Sequence, residues 1–419
     1  MEPVKDSNDG ITTRPLAASP IRRFSPFSLL PDELIMAIAT RLLPEELWVR
    51  AYEPTRASHL DYFASVNKRI RRIALSVRWE DISVPVATKS APLALTRLSR
   101  YGDHVKTLCL SAGSNENTVT FQEQLARVVA CLSLCHNLKS VTLGNSLDCR
   151  GGMFGSGVEV WRILAQRAKE LEDLRIHHDW VALDGLQYLV SVLRATRCLK
   201  RLDIEGSVPR LRLRRGRHMP LLPPLPVLTG LYIPTAQCIT ATTFTGSDTL
   251  KTLSLVQVEA GDLAHVAKCV GHNVKRLDIL SLAETCHEDP PPILVALRHL
   301  KLPHSATSVR LSSLIDPATQ LETLTIYQLS RENLADLREF YGRQPHKTLK
   351  RVHILVPVEC LWLESEGDYW VSELSLEAEK PIREWQLRKL ASRRLFDRCL
   401  VWAAQFGITI QARLCRQQS

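Results

Sequence analysis

The chain predicts an α/β fold: a small helical unit, then a long stack of parallel strands, each returning through a helix or turn. Three observations carry that expectation. Ten segments of the form apolar-charged-x-apolar-x-apolar begin at Val105, Leu138, Leu171, Leu199, Leu228, Leu250, Val274, Leu297, Leu321 and Leu349. Their start-to-start spacings run from 22 to 33 residues, enough for one strand plus one return element. Before residue 85 lie two short amphipathic helical patterns that do not share the repeat.

The elements follow in order. Residues 1–28 carry scattered Asp, Arg, Pro and Ser with no apolar run, so they read as a disordered tail and not a secretory signal. Pro31, Asp32 and Glu33 make a good helix start, because proline suits the first turn and carboxylates favour the positive end of the helix dipole. Leu34, Ile35, Ile38 and Leu42 then recur at helical spacing. A second pattern runs through Phe63, Val66, Ile70 and Ile73, with Lys68, Arg69, Arg71 and Arg72 opposite. Two such helices cannot bury themselves alone, so they require each other and a partner surface.

In the repeats, the second position is charged in nine of the ten segments and threonine in the other. Helical stretches at Phe121 to Cys135, Val158 to Lys169, Leu186 to Thr196 and Leu334 to Tyr341 precede the next segment. Stacking lets each repeat cover the apolar edge of its neighbour. Period-two alternation sends positions four and six into the core and positions three, five and seven to a concave polar face. That face would carry Asp173, Arg175, His177, Arg201, Asp203, Glu205, Tyr232, Arg276, Asp278, His299, Lys301, Tyr327, Arg351 and His353. After the last segment, an apolar stripe from Leu387 to Trp402, then Gly407 and Ile408 to Ile410, reads as a cap on the open end.

Bulk properties exclude several classes. The 419 residues are 45% hydrophobic and 23% charged, as in an ordered globular chain, and no apolar run is long enough to span a membrane. Eleven scattered cysteines fit a reducing compartment better than a disulfide framework. The net charge of +10 is mild for this length and compatible with nucleic-acid or acidic-protein contact, its distribution mattering more than its total, although no nucleic acid is expected as a partner. Cys131, Cys135 and His136 lack a second ligand pair for zinc, and Gly151 to Gly157 lacks the Lys-Ser/Thr of a phosphate loop. No spacing argues for a catalytic triad, so neither enzyme chemistry, metal nor cofactor is expected.

The sharpest charge feature is the run from Arg210 to His218, with Arg210, Arg212, Arg214, Arg215 and Arg217 and no acidic residue between Glu205 and Asp248. It reads as a solvated loop, a capture site for acidic or phosphorylated segments, or a nuclear address.

Two family resemblances follow from these residues. Leu30-Pro31-Asp32-Glu33-Leu34, Val66-Asn67-Lys68-Arg69-Ile70-Arg71 and Arg78-Trp79 resemble, in order, the F-box pattern. The ten segments resemble leucine-rich repeats, although the Asn or Cys expected eight residues after each first leucine is absent. Gly113, Ser146, Asp179, Ser207, Ala236, Val258, Leu282, Ser305, Leu329 and Pro357 stand there instead, which predicts an irregular solenoid. The combination is similar to the degenerate F-box and leucine-rich-repeat proteins of fungi. The match departs at Pro44 to His59, a long insertion between the F-box helices.

The resemblance implies an α/β chain with an all-helical F-box at 29–84, a solenoid of parallel strands with convex-side helices at 85–357, and a cap at 358–419. It implies a non-catalytic substrate receptor of a ubiquitin ligase. Leu30, Pro31, Leu34, Ile38, Val66, Ile70, Ile73 and Trp79 would dock on a Skp-type adaptor that joins a cullin scaffold and RING subunit. A protein target of unknown identity would meet Arg175, His177, Arg201, Asp203, Tyr232, Arg276, Lys301, Tyr327 and the arginine run. Such a chain would work in the cytoplasm or nucleus, away from membranes. Open alternatives are a repeat scaffold acting outside ubiquitination, or a hydrolase or transferase whose site the spacing does not reveal.

Overall fold

The protein is seen in a computed structural model. The described residues are 26–43, 59–111, 119–144, 157–177, 180, 185–205, 221–244, 249–259, 261–282, 294–302, 320–327, 348–357 and 409–415. The insertion at 44–58, the arginine run, the expected helix at 334–341 and the apolar stripe at 387–402 lie outside them. The chain forms two compact units, one ending at Val77 and one that includes everything from Arg78 onward.

The first unit is helical. A 3-10 turn at Pro26–Leu29 leads to α1 (Asp32–Arg41), α2 (His59–Ala64) and α3 (Lys68–Trp79). Pro31 sits at the N-cap of α1, Asp32 and Glu33 fill its first turn and Arg41 its last, as the helix dipole favours. The single pattern expected from Phe63 to Ile73 is divided at Ser65–Asn67. There the Asn67 side chain accepts from the Ile70 amide (2.8 Å) and so starts α3 afresh.

The core of this unit is Ile35, Ala39, Leu60, Phe63, Ile70, Ile73, Ala74 and Val77, with Phe27, Leu30, Ile38 and Leu42 half-buried against it. Phe27 meets Phe63 edge to face at 5.7 Å. Arg69 ties α3 to the start of α1, donating to Asp32 Oδ1 (2.7 Å) and to the Leu30 carbonyl (2.8 Å).

The second unit is α/β. Its open sheet has twelve strands in sequence order, every neighbouring pair parallel. They are β1 (Asp81–Pro85), β2 (Thr107–Ser111), β3 (Ser140–Leu143), β4 (Asp173–His177), β5 (Arg201–Glu205) and β6 (Gly230–Ile233). The sheet continues through β7 (Thr252–Leu255), β8 (Arg276–Ile279), β9 (His299–Leu302), β10 (Thr323–Tyr327), β11 (Arg351–Pro357) and β12 (Thr409–Cys415). Ten belong to the expected segments.

β1 is an eleventh repeat that begins with Trp79 in place of leucine. Trp79, Ile82 and Val84 occupy positions one, four and six, and all are buried. The domain boundary expected after residue 84 therefore moves back, because Asp81–Pro85 pairs with β2 inside the sheet. β12 extends the sheet as a further strand in register with β11, aligning Val352 with Ile410 and Ile354 with Ala412.

Register explains the core. Leu108, Val141, Leu174, Leu202, Leu231, Leu253, Leu277, Leu300, Leu324 and Val352 form one continuous buried row. The first-position residues from Val105 to Leu349 form another. Each such leucine contributes roughly 1.5–3 kcal/mol when fully removed from water.

Helices α4 (Ala91–Tyr101), α5 (Phe121–Leu134), α6 (Val158–Arg167) and α7 (Gly185–Ala195) return the first four crossovers, each packing on the next. The described part of the 22-residue interval after Leu228 returns through 3-10 turns at Ala236–Cys238 and Ala241–Phe244. The next interval holds α8 (Asp262–Val270), preceded by Gly261 at φ 81°, a left-handed conformation that favours glycine.

Backbone hydrogen bonds join successive repeats at the strand starts. The second-position carbonyl of each repeat accepts the amides of positions two and three in the next, from Glu80 through Lys106, Lys139, Glu172, Lys200, Thr229, Lys251, Lys275, Arg298 and Glu322. Val258 and Leu282, two residues standing where asparagine was expected, are buried and bridged to one another.

Candidate binding surfaces

Two surfaces stand out, one in each unit. In the first, Leu29 is 83% exposed, Tyr62 65%, Leu34 51%, Met36 46% and Val66 43%. Leu34 and Met36 flank the buried stripe of α1, and Val66 lies in the short break between α2 and α3. Scattered apolar exposure is ordinary, but five large apolar residues on so small a unit form an unusual concentration.

Of the eight residues expected to meet an adaptor, Pro31, Leu34 and Val66 are exposed, and Leu30 and Ile38 are half-buried. Ile70 and Ile73 are buried in the core of the first unit and shape it from within. Trp79 belongs to the second unit, stacked on Tyr101 at 4.8 Å and buried, with its indole nitrogen unpartnered.

The second surface is the polar face of the sheet. Positions three and five alternate with the buried row, and register lines them up across strands. One line runs Arg175, Asp203, Tyr232; its neighbour runs Asp173, Arg201, Gly230; His177 aligns with Glu205. Arg175, His177, Arg201, Asp203 and Tyr232 are thus brought together, as the alternation predicts.

At their centre, buried Asp203 receives Arg201 Nε at 2.9 Å and lies 3.4 Å from Arg175 Nε. Hydrogen bonding to Asp203 raises the Arg201 guanidinium further above its ordinary value. Asp173 is less well served: its Oδ1 lies 3.7 Å from Arg175 and accepts no hydrogen bond, and burial raises its carboxyl above the usual range. Burial, then the charges of Glu205 and Asp203, raises the Tyr232 phenol as well.

The other expected residues among those described lie on later strands. Arg276 is on β8, where Asp278 two residues on chelates it with bonds of 3.0 and 3.1 Å. Lys301 is on β9 and Tyr327 ends β10.

The spacing argument missed the line of second-position side chains at the strand starts. Glu172 bridges Lys139 (3.4 Å) and Lys200 (2.6 Å), and hydrogen bonds from both lysines lower its carboxyl pKa. Glu80 pairs with Lys106 at 2.8 Å, and Glu322 with Arg298 at 3.6 Å. The signal was available: aligning the ten segments puts Glu172 between Lys139 and Lys200.

Burial pushes the Cys131, Cys135 and Cys238 thiols up to about 12, far from a thiolate at neutral pH. Among the described residues no His, Cys, Asp or Glu cluster could hold a metal ion, and no helix is long and apolar enough to cross a membrane. No protein-family model matches the chain, and no curated protein matches it.

Proposed function

We propose that the chain is a substrate-recognition subunit of a Skp–cullin–F-box ubiquitin ligase. The first unit is its F-box, and the parallel repeats are a degenerate leucine-rich-repeat solenoid that holds a protein target. The reading rests on one observation above others. The segments that resemble an F-box form small helices clamped by Arg69, Asp32 and Leu30, and Leu29, Leu34, Met36, Tyr62 and Val66 are exposed around them. Such surface gains free energy by being covered, and an adaptor helix face is a cover of the right chemistry.

On this reading, Leu30, Pro31, Leu34, Ile38 and Val66 meet the adaptor, while Ile70 and Ile73 hold the docking helices in shape. The Arg175, Asp203, Arg201 and Tyr232 cluster contributes to target binding through aromatic and guanidinium groups already fixed in place. The receptor accelerates ubiquitin transfer by proximity alone, with the chemistry performed by the charged conjugating enzyme.

The test is co-purification of the Skp-type adaptor with the intact chain and with Leu34→Asp/Val66→Asp. Both side chains are exposed, so the double variant keeps its fold by circular dichroism while adaptor capture is lost. Undiminished capture overturns the assignment. Ending a deletion at Val77 rather than residue 84 leaves β1 and Trp79 in place and checks the same point without cutting the sheet.

A further inference from the structure

The strand-start edge changes character along the sheet. Across β1–β5, positions two and three present Lys106, Lys139, Lys200 and Arg201 against Glu80, Asp81, Glu172 and Asp173, an even balance. Across β6–β11 the same positions present Lys251, Lys275, Arg276, Arg298, Lys350 and Arg351 against Glu322 alone. Asp278, further along β8, neutralises Arg276, and Glu322 pairs with Arg298. Lys251, Lys275 and Lys350 are exposed, and no carboxylate among the described residues lies within ion-pair distance of them.

Two of these lysines, Lys251 and Lys275, sit on adjacent strands, with Arg298 on the next. Lys275 N–H donates to the Lys251 carbonyl at 2.9 Å and Arg298 N–H to the Lys275 carbonyl at 2.8 Å. The backbones of three cationic residues on adjacent strands are therefore held at successive spacings of about 4.8 Å. Their mutual repulsion is a standing cost that an anionic ligand relieves.

We propose that the start edge of β7–β11 docks an acidic segment of a protein partner, lying across the strands. A peptide suits the edge better than a nucleic acid on two counts. Glu322 stands within the row and Asp278 beside it, and both would repel a phosphate chain but can accept from peptide donors. No Phe, Tyr or Trp among the described residues occupies positions two or three of these strands, and the imidazole of His299 is the one ring there that could stack a base. The inference deepens the proposed function by naming the chemistry of the target, and relies on it only for calling that partner a ligase target.

The test uses the full chain with Gln in place of Arg210, Arg212, Arg214, Arg215 and Arg217 in every arm, which removes that run as a competing site. Binding of a fluorescein-labelled oligoglutamate peptide is read by anisotropy at low and high salt. Lys251→Gln/Lys275→Gln/Lys350→Gln is expected to weaken binding by about tenfold, roughly 1.4 kcal/mol. The corresponding Lys→Arg triple is expected to retain it. Lys106→Gln/Lys139→Gln/Lys200→Gln, at positions already paired, is expected to change affinity by less than about twofold.

Absence of peptide binding, or equal losses in the two Gln triples, overturns the strip. Tighter binding of single-stranded RNA with the same dependence overturns the partner class. Adaptor capture measured on the same proteins separates either failure from failure of the F-box reading, since none of these lysines lies in the first unit.

Discussion

The first five strands of the sheet and the strands that follow solve the same stacking problem differently. Between β1 and β5, crossovers of generous length return through α4, α5, α6 and α7, and charges at the strand starts are interleaved and paired. Beyond β5, the described part of the crossover to β7 holds 3-10 turns, α8 spans nine residues, and three strand-start lysines have no ion-pair partner among the described residues. Yet the buried row is unbroken through both halves. The core and the backbone stitching are indifferent to the return element, so repeat length varies freely.

The comparison breaks most visibly where helices of the first half abut. A Cβ at Gly102 would stand 2.2 Å from the Leu134 carbonyl oxygen, where the end of α4 meets the end of α5, with only backbone to yield. Gly102→Ala is expected to cost about 3 kcal/mol. The loss should appear as faster amide exchange in β1–β3, with β8–β10 little affected. Its counterpart in the second half is Gly261→Ala, where nothing lies within 4 Å but φ is +81°. That change is expected to cost about 1–2 kcal/mol from backbone conformation alone. Equal exchange changes across the whole sheet would show that the halves unfold as one.

A smaller effect contrasts two carboxylates of the same cluster. Asp203 joins Arg175 and Arg201, and Asp203→Asn leaves both guanidiniums without that anion. They are partly exposed, so water offsets much of the loss, and about 1–2 kcal/mol is expected by denaturant titration. Asp173 behaves oppositely. Its folded pKa lies above the unfolded value, so its ionised form opposes folding and that penalty grows as pH rises through the folded pKa. Asp173→Asn should leave neutral-pH stability unchanged or raised, with any gain vanishing as pH falls below the unfolded value near 3.8. A clear loss at neutral pH would mean that the Arg175 and Arg201 attractions outweigh burial.

How much of this was legible follows from which forces are local. Alternation at positions four and six marked the buried rows because a parallel strand covered on one face has no other way to place its leucines. The first repeat escaped because Trp79 stands where leucine was sought, and the same tryptophan fits the end of an F-box pattern. The last was read as a strand-like cap at Ile408 to Ile410 and not as a repeat, because Gly407 and Ala412 are weak apolar signals where repeat leucines were sought. Val66 was folded into one long helix because periodicity does not register a side chain such as Asn67 capping a new one. The Asp203 cluster was readable from alternation. The distinction between paired and unpaired lysines was not, since it depends on residues about 20–30 positions away brought alongside by register.

That distinction gives the smallest predicted effect. Lys251→Gln/Lys275→Gln removes two cations with no ion-pair partner among the described residues, so stability should change by no more than about 0.5 kcal/mol. If like-charge repulsion along the edge is appreciable, the change is a gain that fades as salt shortens the Debye length. Lys139→Gln/Lys200→Gln strips Glu172 of both partners and should lose a similar small amount, also fading with salt. Opposite signs from equal charge changes would show that the first half uses its strand-start lysines to hold itself together.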